Sequence, residues 1–376
     1  MIETDVMVGE ALKLTCTRDE LVAKLGIVSR AVSTRSAVQI LAGVLLRAQE
    51  GELQLAATDM ELSLRTALEA NVEDEGAVVV QGRTLVDIAR LLPADEVQIA
   101  HRPEEGIVQV TCGAYSSRLH IYAVEDFPRL PEVDAAATFS VDADTLLDTV
   151  AQVSRSASRD ESRPVLTGIL VRFEPEKLVM AATDSYRLSV KETPLEGSTQ
   201  ELEAIIPARA LTELGRVAGG VGELELGVHE NQVVFRAGDV TLTTRRIDGQ
   251  FPNYRQLLPE AFEQTVVLPR AELLDVVRRV SVMAQRNSPV RMRFSEGELR
   301  VSSQTQDVGE ATETLPVGWT ADAMEIGFNP EFLREGIESV PSDELELNLI
   351  SPLRPAVIKG ETDDFKYLIM PIRLAG

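Results

Sequence analysis

The segment VLTGILVRFEPEKLVMAATDSYRLSV, residues 165–190, has an earlier counterpart in the same chain, ILAGVLLRAQEGELQLAATDMELSLR, residues 40–65. Aligned without a gap, the two copies place Thr58-Asp59 on Thr183-Asp184, 125 residues later. A weaker third copy, VRMRFSEGELRVSSQTQDVGEATE from Val290, keeps the strand, turn, strand pattern without the Thr-Asp pair. The chain is therefore predicted to consist of three similar repeats.

Length and composition suit a multidomain protein. The 376 residues, 44% of them hydrophobic, allow two or three domains with real cores. Apolar runs are far shorter than the ~20 residues of a membrane helix, and the N-terminus lacks the pattern of a signal peptide, so we expect a cytoplasmic protein. Two cysteines without CxxC spacing and three histidines without HxxxH spacing predict no disulfide framework, no metal site and no cofactor.

Helices and strands alternate in the same order in each repeat. In the first repeat, residues 17–33 and 80–93 predict helices, and Thr17 with Glu20 forms a capping-box pattern. The apolar positions of the first helix recur at helical spacing: Leu21, Leu25, Val28 and Val32.

The other two repeats follow the same order. Their predicted helices are residues 141–158, 206–218, 268–284 and 328–341, and the segments between them alternate with a period of two, as strands do. This pattern predicts an α+β fold in which each repeat packs two helices on antiparallel strands. The predicted domains are 1–137, 138–261 and 262–376.

The net charge of −23 argues against general nucleic-acid binding, which is normally the property of basic domains. Its distribution is uneven, however. The predicted helices carry about as many basic as acidic residues, so the acidic excess lies in the rest of the chain. A mildly basic helical surface on an acidic protein is therefore expected.

Four motifs, taken together and in order, resemble bacterial replicative sliding clamps, the beta subunits of DNA polymerase III. They are AATDSYRLSV (181–190), IDGQFPNYRQLLP (247–259), QTQDVGEATE (304–313) and YLIMPIRL (367–374). The resemblance covers essentially the whole chain. It implies a homodimer joined head to tail, in which six clamp domains form a ring with helices lining the hole and duplex DNA passing through it.

The resemblance also implies the function. A closed ring encircles double-stranded DNA without sequence preference and tethers the replicative polymerase for processive synthesis, with no catalytic site of its own. The implied partners are the polymerase alpha subunit, the clamp loader, and other polymerases and repair proteins that carry a short clamp-binding motif. The expected location is the cytoplasm, at the nucleoid during replication. By family geometry, the strand YSSRLHIYAV (115–124) and the helix end near Val282 are the candidate edges of the dimer interface.

Basic residues at matching places of the repeats are the candidates for DNA contact. A single arginine near a helix end is equally well explained by solvation or by the helix dipole, but the recurrence favours a DNA-binding face. Loose phosphate contacts would hold the ring on DNA while allowing it to slide. The candidate DNA-binding residues are Lys24, Arg30, Arg35, Arg83, Arg155, Arg159, Arg209 and Arg286.

The second implied surface is a peptide groove between the second and third domains. Such a site is apolar and concave with a few polar groups at its rim. Strand alternation favours a core position for Tyr367 and Ile369 instead. The residues that match the family's groove are Leu166, Thr183, Ser185, Tyr186, Arg187, Leu188, Pro252, Leu257, Leu368, Met370, Pro371, Ile372, Arg373 and Leu374.

The alternatives to this function are an enzyme and an adaptor protein. Asp59 and Asp184 could be catalytic acids, but they occupy matching places of two repeats and do not converge on one site, which favours a hydrogen-bonding role in a turn. The chain has no GxxxxGK[ST] motif, so ATP hydrolysis is not expected. The alternative function is a clamp-fold paralogue that acts as an interaction adaptor without encircling DNA.

Overall fold

The computed structural model describes residues 11–34, 37–93, 95–130, 138–195, 201–229, 231–284 and 288–374. Within these ranges, one pattern of a strand, a helix and three further strands occurs twice in each repeat. The strands pair antiparallel and the helices pack on them, as the sequence predicted. The prediction of an α+β fold is therefore confirmed.

The elements of the first repeat are β1 (Lys13–Thr17), α1 (Arg18–Val28), β2 (Gly43–Gln49), β3 (Glu52–Thr58), β4 (Leu62–Glu69), β5 (Asn71–Asp74), β6 (Gly76–Gln81), α2 (Gly82–Leu91), β7 (Glu96–Arg102), β8 (Ile107–Cys112) and β9 (Tyr115–Tyr122). The second repeat contains β10 (Thr138–Asp142), α3 (Ala143–Val153), β11 (Gly168–Glu174), β12 (Lys177–Thr183), β13 (Arg187–Pro194), β14 (Leu202–Pro207), α4 (Ala208–Val217), β15 (Glu223–His229), β16 (Gln232–Ala237) and β17 (Val240–Arg245). The third contains β18 (Gln264–Pro269), α5 (Arg270–Ser281), β19 (Val290–Ser295), β20 (Glu298–Thr305), β21 (Gly309–Pro316), β22 (Met324–Phe328), α6 (Pro330–Ser339), β23 (Glu344–Leu349), β24 (Ala356–Lys359) and β25 (Phe365–Ile369).

Strand pairing groups the three repeats into two compact units. The first compact unit comprises Met1–Asp144 and Glu213–Arg246 and has one 13-stranded sheet, in the order β10-β15-β16-β17-β4-β3-β2-β6-β9-β8-β7-β1-β5. The second comprises Thr145–Thr212 and Ile247–Gly376, with an eight-stranded sheet, β14-β11-β12-β13-β25-β24-β23-β18, and a four-stranded sheet, β21-β20-β19-β22. The second repeat is thus divided between the two units, which the sequence did not predict.

Two strand pairings join neighbouring repeats, and they have the same register. In the first compact unit β4 pairs with β17, with Leu62 opposite Thr244. In the second, β13 pairs with β25, with Arg187 opposite Ile369. Each residue of the second pair lies 125 positions after its counterpart in the first pair. The duplication seen in the sequence therefore extends to the way in which one repeat is attached to the next.

The buried faces of the helices follow the predicted spacing. Leu21, Leu25 and Val28 on α1 are fully buried. Val32 is not part of this helix, because the chain leaves the α-helix after Val28 through a short 3-10 turn and Val32 itself is extended. The prediction that the helix continues to residue 33 was wrong at this end.

The predicted capping box at the start of α1 is replaced by a different bond. The Thr17 hydroxyl donates to the Glu20 carboxylate over 2.8 Å and makes no bond to the helix backbone. The two residue types therefore mark the start of the helix correctly, while the reciprocal bonds to the backbone N–H groups of a capping box are not formed.

The last strand, β25, is buried on both faces. Tyr367 and Ile369 are fully buried in the core of the third repeat, as strand alternation predicted, and Leu368 lies on the opposite face in a cluster with Leu188. Tyr367 packs on Gly336 of α6, where an added Cβ would lie only 2.4 Å from the tyrosine ring. Close packing of this ring on the helix therefore requires glycine.

Gly336→Ala is expected to lower the stability of the protein by about 1 to 2 kcal/mol, because overpacking against the buried Tyr367 ring outweighs the better helix propensity of alanine. The matched control is Gly26→Ala in α1, where nothing lies within 4 Å of the added Cβ. That control should raise the unfolding midpoint slightly. Thermal unfolding of both variants checks the prediction, and equal shifts in the same direction would contradict it.

Candidate functional site

The turn between β12 and β13 is built by the duplicated Thr-Asp pair. One Asp184 carboxylate oxygen accepts from the backbone N–H groups of Tyr186 and Arg187 over 2.9 and 3.0 Å. The Thr183 hydroxyl donates to the Arg187 carbonyl oxygen over 2.7 Å and accepts from the Ser185 N–H. These bonds hold Ser185 in the left-handed region at a φ of 80° and expose Tyr186 at the tip of the turn.

The first copy of the turn is built in the same way. Asp59 accepts from the backbone N–H groups of Glu61 and Leu62, and the Thr58 hydroxyl donates to the Leu62 carbonyl oxygen. Met60 has a φ of 77°, matching Ser185. The prediction that Asp59 and Asp184 have hydrogen-bonding roles in turns is therefore confirmed.

In the second copy only, the turn also binds a buried arginine. The Arg187 side chain is 7% exposed, and its Nε donates to the other Asp184 oxygen over 3.1 Å. Its guanidinium group forms an ion pair with Glu335 of α6 and lies 4.2 Å from the centre of the Phe332 ring. Arg187 thus attaches the strand of the second repeat to a helix of the third.

The charge of Arg187 is maintained by its neighbours. Burial by itself would lower the pKa of Arg187, but Tyr367 and Glu335 beside it outweigh that effect and raise the pKa. Burial raises the pKa of the Tyr367 phenol, whose hydroxyl donates to the Phe332 carbonyl oxygen over 2.8 Å. Arg187 therefore stays protonated and Tyr367 neutral at physiological pH.

Three apolar side chains among the predicted groove residues are exposed. Tyr186, Leu257 and Met370 expose 62%, 51% and 40% of their surface. The Met370 N–H donates to the Tyr186 carbonyl oxygen over 2.9 Å, so these two residues are neighbours. Leu257 ends a short 3-10 turn whose first residue, Tyr254, is buried in the cluster that contains Leu188. The second compact unit therefore presents apolar side chains on well-anchored backbone.

The C-terminal residues beyond β25 are attached to the four-stranded sheet. The Ile372 N–H donates to the Gly327 carbonyl oxygen over 2.8 Å. An added Cβ on Gly327 would lie 2.6 Å from the side chain of Leu374, so the leucine side chain packs directly on Gly327. These contacts fix the path of the chain from Met370 to Leu374.

The predicted groove residues therefore lie in one compact unit but at different depths. Four are buried beneath the surface: Thr183, Arg187, Leu188 and Leu368. Four are half-buried: Leu166, Pro371, Ile372 and Leu374. Six are exposed: Ser185, Tyr186, Pro252, Leu257, Met370 and Arg373. Any bound peptide would meet the exposed and half-buried groups, while the buried ones support them.

Of the predicted DNA-binding residues that the structure describes, Lys24, Arg83 and Arg209 lie on helices, Arg30 and Arg155 lie in the 3-10 turns that follow α1 and α3, and Arg159 lies in the loop beyond. Lys24 pairs with Asp239, Arg30 with Glu213 and Arg155 with Glu338. Arg83, Arg159 and Arg209 are exposed. The two remaining residues, Arg35 and Arg286, are outside the described residues.

The carboxylates opposite these arginines were not predicted. Glu213 and Glu338 bind Arg30 and Arg155, and Glu335 binds Arg187. Each carboxylate is 148 or 183 residues away from its arginine along the chain. No local sequence pattern marks these pairs, because the partners are so far apart in the chain.

The described residues offer no group of three or more histidine, cysteine, aspartate or glutamate side chains that could hold a metal ion. Both cysteines are buried free thiols, and burial raises the pKa of Cys16 to about 12. No helix in the described part of the chain is both long and apolar enough to cross a membrane.

The chain matches three consecutive domain families of the DNA polymerase III beta subunit. Residues 12–131 match the N-terminal domain, residues 140–253 the central domain and residues 255–373 the C-terminal domain. The beta sliding clamp of Streptomyces coelicolor is 34% identical over 97% of this chain and 100% of its own length. The beta sliding clamp of Synechococcus elongatus is also 34% identical, over 96% of this chain and its full length.

Solved structures are similar over the same extent. The DnaN sliding clamp of Bartonella birtlesii bound to griselimycin has 28% identity and a TM-score of 0.90, with 97% of this chain and 100% of that chain covered. The three repeats, their antiparallel sheets and the Thr-Asp turn thus occur in a chain that is related to clamps from end to end. The chain belongs to the DNA polymerase III beta subunit family, the beta sliding clamps.

Proposed function

We propose that this chain is a replicative sliding clamp. Two copies close head to tail into a ring around duplex DNA, and the ring tethers the replicative polymerase by binding its peptide in the groove. The observation that carries the proposal is the repeated register of the strand pairings between repeats, which leaves one matching strand edge in the first repeat and one in the third.

The two free edges are those of β9 and β21. Within the described residues, β21 pairs only with β20 and ends its sheet. On the side away from β8, β9 pairs with β6 through Ile121 and Tyr122 alone, so the edge before them is open. By the repeat, β21 corresponds to β4 and β13, and β9 corresponds to β17 and β25. Pairing of β21 with β9 of a second copy would repeat the two joins inside the chain and close both edges.

The repeat also gives a register for this third join. Gly113 and Gly238 occupy the same turn with φ values of 57° and 59°, which aligns Arg118 with Thr243. The hairpins β3-β4 and β20-β21 align Ser63 with Glu310. Since Ser63 lies opposite Thr243 inside the chain, Glu310 would lie opposite Arg118 of the second copy. Opposite charges at directly facing positions favour this register.

Exposed apolar residues at the helix ends support the same assembly. Inside the chain, Arg30 and Arg155 pair with glutamates of the following repeat. The position of the third repeat that matches Arg30 is Val282, which is 75% exposed, and Leu91 at the end of α2 is 84% exposed. We propose that these two side chains meet across the dimer interface, where an apolar contact replaces the ion pair.

Partners and location follow from the proposed role. The groove residues would bind a short motif of the polymerase alpha subunit, of the clamp loader and of other polymerases and repair proteins, in the cytoplasm at the nucleoid. The ring would perform no catalysis. The domain boundaries that fit this role are 1–137, 138–261 and 262–376, since β10 and β18 begin the second and third repeats.

The wild-type protein, loaded by its clamp loader onto nicked circular DNA, is expected to stay bound through gel filtration at high salt and to be released when the circle is cut. Topological retention survives salt, whereas phosphate contacts weaken steeply with it. Release from the circle at the same rate as from linear DNA would contradict a closed ring. Peptide binding without retention would favour the adaptor function.

Val282→Asp is expected to weaken the dimer about 100-fold, because a carboxylate would be buried in an apolar contact without a partner. Sedimentation at micromolar concentration should show the 41.1 kDa monomer in place of a species of twice that mass. The control is Leu353→Asp, which changes another exposed leucine and should leave the dimer intact. An intact Val282→Asp dimer would place the interface elsewhere.

The double variant Tyr186→Ala and Met370→Ala is expected to weaken binding of a polymerase clamp-binding peptide by about 10- to 100-fold, since about 1 to 3 kcal/mol of apolar contact is lost. Fluorescence anisotropy of a labelled peptide measures the affinity. Val267→Ala, which changes an exposed apolar residue of β18 at the far edge of the eight-stranded sheet, is the control. Unchanged affinity in the double variant would show that the peptide does not bind at Tyr186 and Met370.

A further inference from the structure

The same arrangement of one glutamate between two arginines occurs twice on the helices. Glu213 of α4 accepts from Arg30 over 3.1 Å and pairs with Arg216 through its other oxygen. Glu338 of α6 pairs with Arg155 and accepts from Arg278 over 2.8 Å through its other oxygen. We call these two sets the arginine–glutamate clusters.

One arginine of each cluster occupies the same place in its repeat, whereas the other arginine comes from a different helix in each cluster. Arg30 and Arg155 occupy matching 3-10 turns directly after α1 and α3, and each pairs with a glutamate 183 residues later. The second arginine comes from α4 itself in the first cluster and from α5 in the second. The second arginines are therefore not equivalent by the repeat. Duplication of the sequence alone does not explain why both glutamates lie between two arginines.

Exposure differs between the two charge types. The side chains of Glu213 and Glu338 are 12% and 19% exposed, whereas those of the arginines are between 38% and 54% exposed. The guanidinium groups therefore keep access to solvent and to a further anion, while the carboxylates lie between them. Within each cluster the glutamate cancels one of the two positive charges, and Arg278 has a second, more exposed partner in Asp275 at 3.7 Å.

Glu338 remains ionised at physiological pH. Burial by itself would raise its pKa, but the hydrogen bonds from Arg278 and Arg155 outweigh that effect and lower the pKa. The carboxylate is consequently present as a permanent anion next to the arginines, and it can compete with any other anion that approaches them.

We propose that Glu213 and Glu338 are resident competitors of DNA phosphates that weaken the hold of the ring on DNA and so permit sliding. The inference rests on the proposed function, because it assumes that these helices face the DNA. An arginine that already has a carboxylate partner gains less from a phosphate, and it releases fewer counterions when the phosphate binds.

Sliding requires contacts that are exchanged easily. Half-exposed ion pairs contribute little to stability, so an arginine can leave its glutamate for a phosphate and return as the DNA advances. An arginine without such a partner would hold each phosphate longer. The glutamates thus act through the arginines as positioning residues and make no contact with DNA themselves.

The double variant Glu213→Gln and Glu338→Gln removes four negative charges from a two-chain ring and leaves all arginines in place. We expect it to bind non-specific duplex DNA about 10-fold more tightly at low salt than the wild type. The slope of log affinity against log salt should steepen by about one to three, since each freed arginine adds up to about 0.9. One-dimensional diffusion of the loaded ring on a stretched DNA molecule should slow several-fold.

The matched control is Glu203→Gln with Glu325→Gln. These glutamates belong to the same two repeats, lie on strands, and pair with Arg172 and Arg291. The control removes the same charge and two arginine pairs in place of four, and its affinity, salt slope and diffusion should stay near the wild-type values. Equal effects of both double variants would overturn the inference in favour of a general charge effect.

Retention of the wild type on circular DNA separates this inference from the proposed function. If the wild type is not retained, the ring itself is refuted. If the wild type is retained and the Glu213 and Glu338 variant has an unchanged salt slope and diffusion rate, only the competitor role is refuted. Should the double variant not assemble, each single variant carries the same test, with about half the change in slope.

Discussion

The structure depends on one constraint, the register in which a strand of one repeat pairs with the last strand of the next. A slip by one residue would turn every side chain of the strand to the other face. At the β13-β25 join this is prohibited, because Leu188 and Leu368 are buried on one face while Tyr367 and Ile369 are buried on the other. The Thr-Asp turn lies next to this join, and its bond to Arg187 holds the first residue of β13 that pairs with β25. The exposed Tyr186 beside Met370 is thus a consequence of the register of the sheet.

The buried Arg187 further fixes the position of the Thr-Asp turn relative to α6. Taking a guanidinium and a carboxylate out of water is costly, and an apolar pair of similar size would often be at least as stable. What the ion pair adds is specificity: Arg187 binds Asp184 of its own turn, Glu335 and the face of Phe332, so only one arrangement of turn and helix satisfies all three. In the first repeat the same position is Leu62, which cannot form these ion pairs, and the turn there has the same bonds to the backbone. The second copy thus has additional contacts that fix the surface above it, where the proposed groove lies.

Much of the fold could be predicted from the sequence, because the responsible interactions are local or repeated. The buried positions of α1, the roles of Asp59 and Asp184, and the core position of Tyr367 all follow from spacing and duplication. What could not be predicted depends on residues far apart in the chain. The pairing of Arg30 with Glu213 and the burial of Arg187 under Glu335 bring together residues 183 and 148 positions apart, and no local pattern marks them. The division of the second repeat between two compact units has the same origin, since it follows from the pairing of β17 with β4.

That division determines the order in which the chain can fold as it leaves the ribosome. The first compact unit needs Glu213–Arg246 to complete its sheet, although the second compact unit begins at Thr145. A nascent chain that ends after the first repeat therefore exposes the edge of β4, which has no partner until β17 has been synthesised. Unpaired strand edges promote aggregation, and pairings between distant residues form slowly. The sheet of the first compact unit thus cannot be completed until β17 has been translated, and in the interval between the translation of β4 and that of β17 the edge of β4 is open to pairing with other chains.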